Sequence, residues 1–229
     1  VYLGKAVQTV NPPSGSVGSS QLASDAVTSS KLNDDIISGQ TALASEPADT
    51  DEFLISDAGT LKRIDYSLIK GGGITVADQW RLTADKANVD TSNTIFDSNL
   101  ERVDTSGQGT IGTAMSESSG VFTFPSTGIY LVEGVVSYGK DSDRAYTGFK
   151  IQCTTNNSSY ATICQSFGSI NVVSSAVTYT NVVASSLVDV TDTSNVKVRF
   201  SGSVPGAVTA VGSSSENHTF FTFIRLGDT

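Results

Sequence analysis

Phe122-Thr123-Phe124-Pro125-Ser126-Thr127-Gly128-Ile129-Tyr130-Leu131-Val132-Glu133-Gly134-Val135-Val136-Ser137-Tyr138 is the stretch on which the fold turns. An aromatic, β-branched run meets a turn at Pro125–Gly128, and a long strand is predicted over Ile129–Tyr138. One face of that strand is Tyr130, Val132, Gly134, Val136 and Tyr138. The other is Ile129, Leu131, Glu133, Val135 and Ser137. A strand with one wet face alternates apolar and polar residues, and this one alternates poorly. Phe220-Phe221-Thr222-Phe223-Ile224-Arg225-Leu226 has the same character. Both strands are therefore expected to be covered on two sides, once by a sandwich core and once by another subunit. Tyr130, Tyr138, Phe220, Phe221 and Phe223 are the expected trimer-contact residues.

Further strands are predicted at Trp80–Leu82, Thr94–Phe96, Gly120–Phe124, Phe149–Cys153, Ala161–Phe167, Val177–Val183, Ser186–Val190 and Val196–Phe200. Turn residues separate them at short intervals, with no helical period, which is the pattern of a β-sandwich or barrel. The whole set resembles the complement-C1q and tumour-necrosis-factor superfamily. Phe122–Pro125 with Gly128–Val132 looks like its Phe-Thr-x-Pro, Gly-x-Tyr signature. Val196–Phe200 resembles its late Val-x-Val strand, and Phe220–Leu226 its closing strand. The resemblance implies a jelly roll packed as a tight homotrimer. Thr193-Ser194-Asn195 stands where that family has Gly-Asp, which leaves the turn type open.

Upstream of about residue 75 the text is small, polar and repetitive. Val17–Ala26 aligns with Val27–Ile36, sharing Val, Ser, Ser, Leu and Asp. One such repeat has too few apolar anchors for a core and must stack on something, most simply a sister chain. Ser19 and Ser29 are expected to cap short helical turns. Two short strands are predicted around Gly59, then a turn of helix from an Asp65 cap, and a hinge at Gly71-Gly72-Gly73. The repeat, with Ala48–Asp65, resembles stalk segments of marine bacteriophage fibre proteins, and Tyr2-Leu3-Gly4 looks like the virion-anchoring end of such proteins. That resemblance implies a fibre with three parts: an anchor over 1–16 using Tyr2 and Leu3, an elongated, mostly irregular trimeric stalk over 17–73 with short helical and hairpin segments, and an all-β jelly-roll head over 74–229.

The formal charge is −9, which disfavours a nucleic-acid partner. No apolar run is long enough to span a membrane, and no signal peptide is visible; position 1 is Val, so either Met was removed or sequence precedes it. Cys153 and Cys164 flank a polar loop and either form a cross-strand disulfide or remain free thiols. No catalytic constellation is found: Gly-x-Ser-x-Gly is absent, and His218, the one histidine, reads as a loop residue. Asp141 and Asp143 have the spacing that opens a calcium loop, but the rest of that pattern is missing, so no metal and no cofactor are expected.

Binding is expected on loops at the end of the head away from the stalk. Counting strands back from Phe220 places 201–217, 168–175 and 139–147 there. Their candidate receptor-contacting residues are Lys140, Asp141, Asp143, Arg144, Tyr146, Ser213, Ser214, Glu216 and Asn217. The reading is a virion tail fibre or spike, exterior to the particle, docked to other virion proteins and meeting a host surface glycan or outer-membrane protein. A structural head fibre or decoration protein is the alternative, and a polysaccharide depolymerase a distant third.

Overall fold

The computed structural model describes residues 13–229 except 25, 29, 30, 34, 70, 71 and 175. The chain divides into two compact units, Val1–Lys70 and Gly71–Thr229.

In the first unit no described residue is buried. A 3-10 turn occupies Ser19–Gln21, but Ser19 does not cap it: Gly18 holds that position and donates its backbone N–H to Gln21 Oε1 at 2.8 Å. Ser29 lies outside the described residues, as do Tyr2 and Leu3. A four-residue helix, Asp35–Ser38, follows. Strands β1 (Glu52–Asp57) and β2 (Thr60–Asp65) then form a hairpin closed by Ala58 and Gly59. Both turn residues have positive φ, 49° and 84°, the mirror-image turn whose twist suits a hairpin. Asp65 precedes the 3-10 turn Tyr66–Leu68, and its side chain makes no capping bond.

The second unit is an antiparallel sandwich. Its strands are β3 (Ala77–Leu82), β4 (Lys86–Val89), β5 (Thr94–Ile95), β6 (Leu100–Arg102), β7 (Ser116–Ser118), β8 (Val121–Thr123), β9 (Gly128–Lys140), β10 (Arg144–Thr154), β11 (Ala161–Ile170), β12 (Thr178–Val190), β13 (Lys197–Ser203), β14 (Val208–Ala210) and β15 (Phe220–Gly227). The first sheet centres on β9. Strand β12 pairs along one edge of β9; β15, followed by β3 and β6, pairs along the other, where β14 and β4 take over at its far end. The second sheet runs β11-β10-β13-β8-β7, with β5 also on β13. The chain crosses repeatedly between the two sheets, as at β8 to β9, β9 to β10, β11 to β12, β12 to β13 and β13 to β14, which is the jelly-roll arrangement.

The core lies between the sheets. Phe96, Phe122, Phe149, Phe200, Phe221 and Phe223 are all fully buried. Phe200 and Phe221 stack at 3.9 Å across the two sheets, and Phe122 meets Phe223 at 5.0 Å. Each such ring contributes about 2–3 kcal/mol of burial. Gly134 makes room for them: a Cβ there would lie 2.5 Å from the Phe149 ring. Two buried charges pin the periphery. Asp78 accepts from Trp80 Nε1 at 3.0 Å, Arg102 Nε at 3.0 Å and the Met115 N–H at 2.9 Å. Arg81, with no exposure, bonds Glu101, Asp104, Thr105, Gln108 and the Ser214 carbonyl.

The predicted strands over Val177–Val183 and Ser186–Val190 are one continuous strand, β12. Asp192 organises the turn before β13, accepting the Ser194 N–H at 2.7 Å and the Asn195 side-chain amide at 2.6 Å. The Ser194 bonds are the main reason its carboxyl titrates below the usual range.

Candidate binding surfaces

Strand β3 begins and β15 ends at one end of the sandwich, where Ala77 faces Ile224. The connections at 141–143, 171–174, 204–207 and 211–219 lie at the opposite, distal end.

At that end two predicted contact residues are structural braces. Arg144 donates to the carbonyls of Gly206 (3.1 Å), Ala207 (3.2 Å) and Asp143 (2.7 Å) and to Ser142 Oγ (3.0 Å). Asp143 accepts the Val172 N–H at 2.7 Å. Together they tie three distal loops. Half-buried Lys140 and exposed Asp141 are 3.8 Å apart, beside a hollow of about 270 Å³ that also meets Asp85, Val177, Tyr179 and Thr209. Ser213 Oγ accepts the Ser215 and Glu216 N–H groups. Glu216 sits 3.5 Å from His218. Asn217 does not point to the tip. Its amide bonds Gln79 Oε1, and Gln79 in turn donates to Thr222 Oγ1, a polar chain across the first sheet. Tyr146 belongs to β10 and meets the Phe167 ring edge-on at 5.6 Å, on the outward side of the second sheet.

The assignment of trimer contacts to Tyr130, Tyr138, Phe221 and Phe223 is corrected by burial. All four have no exposure within one subunit, so none has surface left for a neighbour. The period of two explains it: these residues share the inward parity of β9 and β15, and Phe220 has the outward one. The outward face of the first sheet is built in rows. Val183, Val135 and Phe220 lie side by side, then Ser185, Glu133 and Thr222, then Leu187, Leu131 and Ile224. Val183 is 50% exposed and Leu187 63%. Two apolar rows thus flank a polar one, and near the distal end the same face opens a hollow of about 480 Å³ lined by Ser137, Tyr179, Asn181, Val211 and His218.

Cys153 and Cys164 are free and half-buried. Register sets Cys153 opposite Ala161 and Cys164 opposite Ile151, with a β-bulge between, so the two cysteines are not directly paired. Burial pushes the Cys153 thiol up.

No protein-family profile matches this chain. No curated protein matches its sequence. Solved structures do match. Eiger, a TNF from S. frugiperda, aligns over 69% of this chain and 96% of its own, at 13% identity and TM-score 0.53. Murine APRIL aligns over 66% of this chain and 98% of its own, at 12% identity and TM-score 0.44. The likeness to Eiger shows a TNF-like jelly roll.

Proposed function

We propose that this chain is a homotrimeric virion fibre or spike, anchored by its N-terminus and meeting a host surface component at the distal end of its jelly-roll head. It acts by holding and binding, without a catalytic step. One observation carries the trimer: the outward face of β12-β9-β15 carries the apolar rows Val183–Val135–Phe220 and Leu187–Leu131–Ile224, of which Val183 and Leu187 are exposed and the other four half-buried in a single chain. Apolar rows of this extent are stable only when covered, and a sister copy offers the same surface. The N-terminal unit asks for the same partner. Val17, Leu22, Val27, Leu32, Ile36, Ile37, Leu54 and Leu61 are all exposed there, and a lone two-stranded hairpin is marginal in water.

The virion assignment is supported by the resemblance of the repeat and of residues 48–65 to phage stalk segments. Receptor contact is supported by the distal loops, which Arg144 and Asp143 tie together while Asp141, Ser214 and Glu216 stay exposed. Three copies would turn weak single contacts into useful avidity. The test is competition: purified trimer added to host cells is expected to block adsorption of the parent particle. A protein that trimerises yet leaves adsorption untouched points instead to a structural head fibre or decoration protein. Release of reducing sugar from host polysaccharide would mark it as a depolymerase.

A further inference from the structure

The second sheet has an outward face too, on the side of the sandwich opposite the apolar rows, and its charge is anomalous. Its strands contain Arg144, Lys150, Lys197 and Arg199 against one carboxylate, Glu117 of β7, which lies opposite the inward Phe122 and accepts the Gly120 N–H, in a chain of net charge −9. On this face Phe167 is 61% exposed. Its ring and the Gln165 amide lie over Gly148, where an added Cβ would meet them at 3.3 and 3.5 Å. Tyr146 stands edge-on beside Phe167. One step along the sheet Lys150 is directly opposite Gln165, and its ammonium reaches Asn93 Oδ1 at 2.5 Å. The next residue of β10 on this side, Gln152, is paired with Arg199, whose Nε donates to Gln152 Oε1 at 2.9 Å. The Arg199 guanidinium also covers the Tyr160 ring at 4.0 Å.

We infer that this lateral face binds an anionic saccharide chain. An exposed flat ring seats the apolar C–H face of a pyranose. The exposed Gln165 amide beside the ring offers a donor and an acceptor to a sugar hydroxyl. Two cations one sheet position apart, with no strand carboxylate on their side of the sheet, take the acid groups. A nucleic acid would also stack on the ring, but the net charge of the whole chain opposes a polyphosphate of high charge density. Sugar acids spaced along a chain suit a face with few cations. The acid is a carboxylate or a phosphate, which the same donors accept.

The surface lies within one subunit and faces away from the proposed trimer contact. Binding therefore adds a second attachment surface to the fibre reading and does not require the trimer. The full chain is titrated with polygalacturonate, with its methyl ester, with a phosphomannan and with single-stranded DNA of matched length. At least one acidic polysaccharide is expected to bind, with affinity falling as salt rises and at least about tenfold tighter than the uncharged ester. Preference for polygalacturonate or for phosphomannan identifies the acid group. Phe167→Ala, Lys150→Gln and Arg199→Gln are each expected to weaken binding about fivefold to tenfold. Phe167 and Lys150 reach solvent, so near-ultraviolet circular dichroism of their variants is expected to match the parent; Lys197→Gln on the same face is a further probe should Arg199→Gln lose its fold. Leu187→Lys, on the other sheet, is expected to leave the affinity per site unchanged. No binding by either acidic polymer, equal binding of the ester or of DNA, or indifference to Phe167→Ala and Lys150→Gln would overturn the assignment. Failure to trimerise or to block adsorption would leave it standing.

Discussion

Tyr138 shows how a single side chain bridges the two sheets. It is fully buried on β9 and donates its hydroxyl to the Gly148 carbonyl on β10 at 2.9 Å. Burial raises its pKa well above the ordinary value of 10.0. The folded protein keeps the phenol neutral where the unfolded chain would ionise, so this contribution is complete below pH 10.0 and fades as pH rises beyond it. Tyr138→Phe is expected to lower stability by about 1 kcal/mol at neutral pH and to flatten the alkaline limb of a denaturation profile. Cys153 offers a parallel check: with its thiol raised by burial, it should be alkylated slowly at pH 8 and faster as pH climbs, as read by mass spectrometry of the intact protein. Strand counting and residue type together mark Arg144, Asp143 and Tyr146 as contact candidates. Sequence gives no sign of which charges are spent internally, and here the carbonyls of Gly206 and Ala207, more than sixty positions away, consume Arg144. Phe167 was legible only as a strand residue; its exposure depends on Gly148, a glycine on the neighbouring strand that leaves the ring a seat.

At the scale of elements, β9 and β15 are readable from sequence because their aromatic and β-branched content is dense, and the inward face of each is covered by the sandwich core. Parity was the harder matter. With apolar residues on both faces, nothing in the sequence says which set meets the sandwich core, and the larger aromatic set proved to be inside. Strand β12 was split in reading because Ala184-Ser185-Ser186 looks like a turn. Its inward residues Val182, Ala184, Val188 and Val190 nevertheless keep one buried period, and pairing with β9 continues unbroken through the serines. Short strands β4, β6, β7 and β14 lacked enough apolar residues to stand out; long-range pairing defines them. Gly134 is the packing hinge of β9, since its missing side chain admits Phe149 and Phe221. Gly134→Val is expected to cost about 1–3 kcal/mol by overpacking, seen as a lower urea midpoint with an unchanged m-value.

For the whole molecule, the central claim is that the first sheet's outward face is buried between copies. Its apolar rows are broken by Ser185, Glu133 and Thr222, a pattern that would set copies in register. Leu187→Lys is expected to place a charge in that contact and to release folded or partly folded monomers, detected as a mass shift in light scattering, whereas Phe167→Ala on the opposite face should leave the assembly intact. The most direct measurement is sedimentation equilibrium of the unaltered chain at micromolar concentration. One species of three times the chain mass is expected, with no dissociation on dilution through the micromolar range. A well-folded monomer under those conditions, with its Val183 and Leu187 rows open to water, would contradict it.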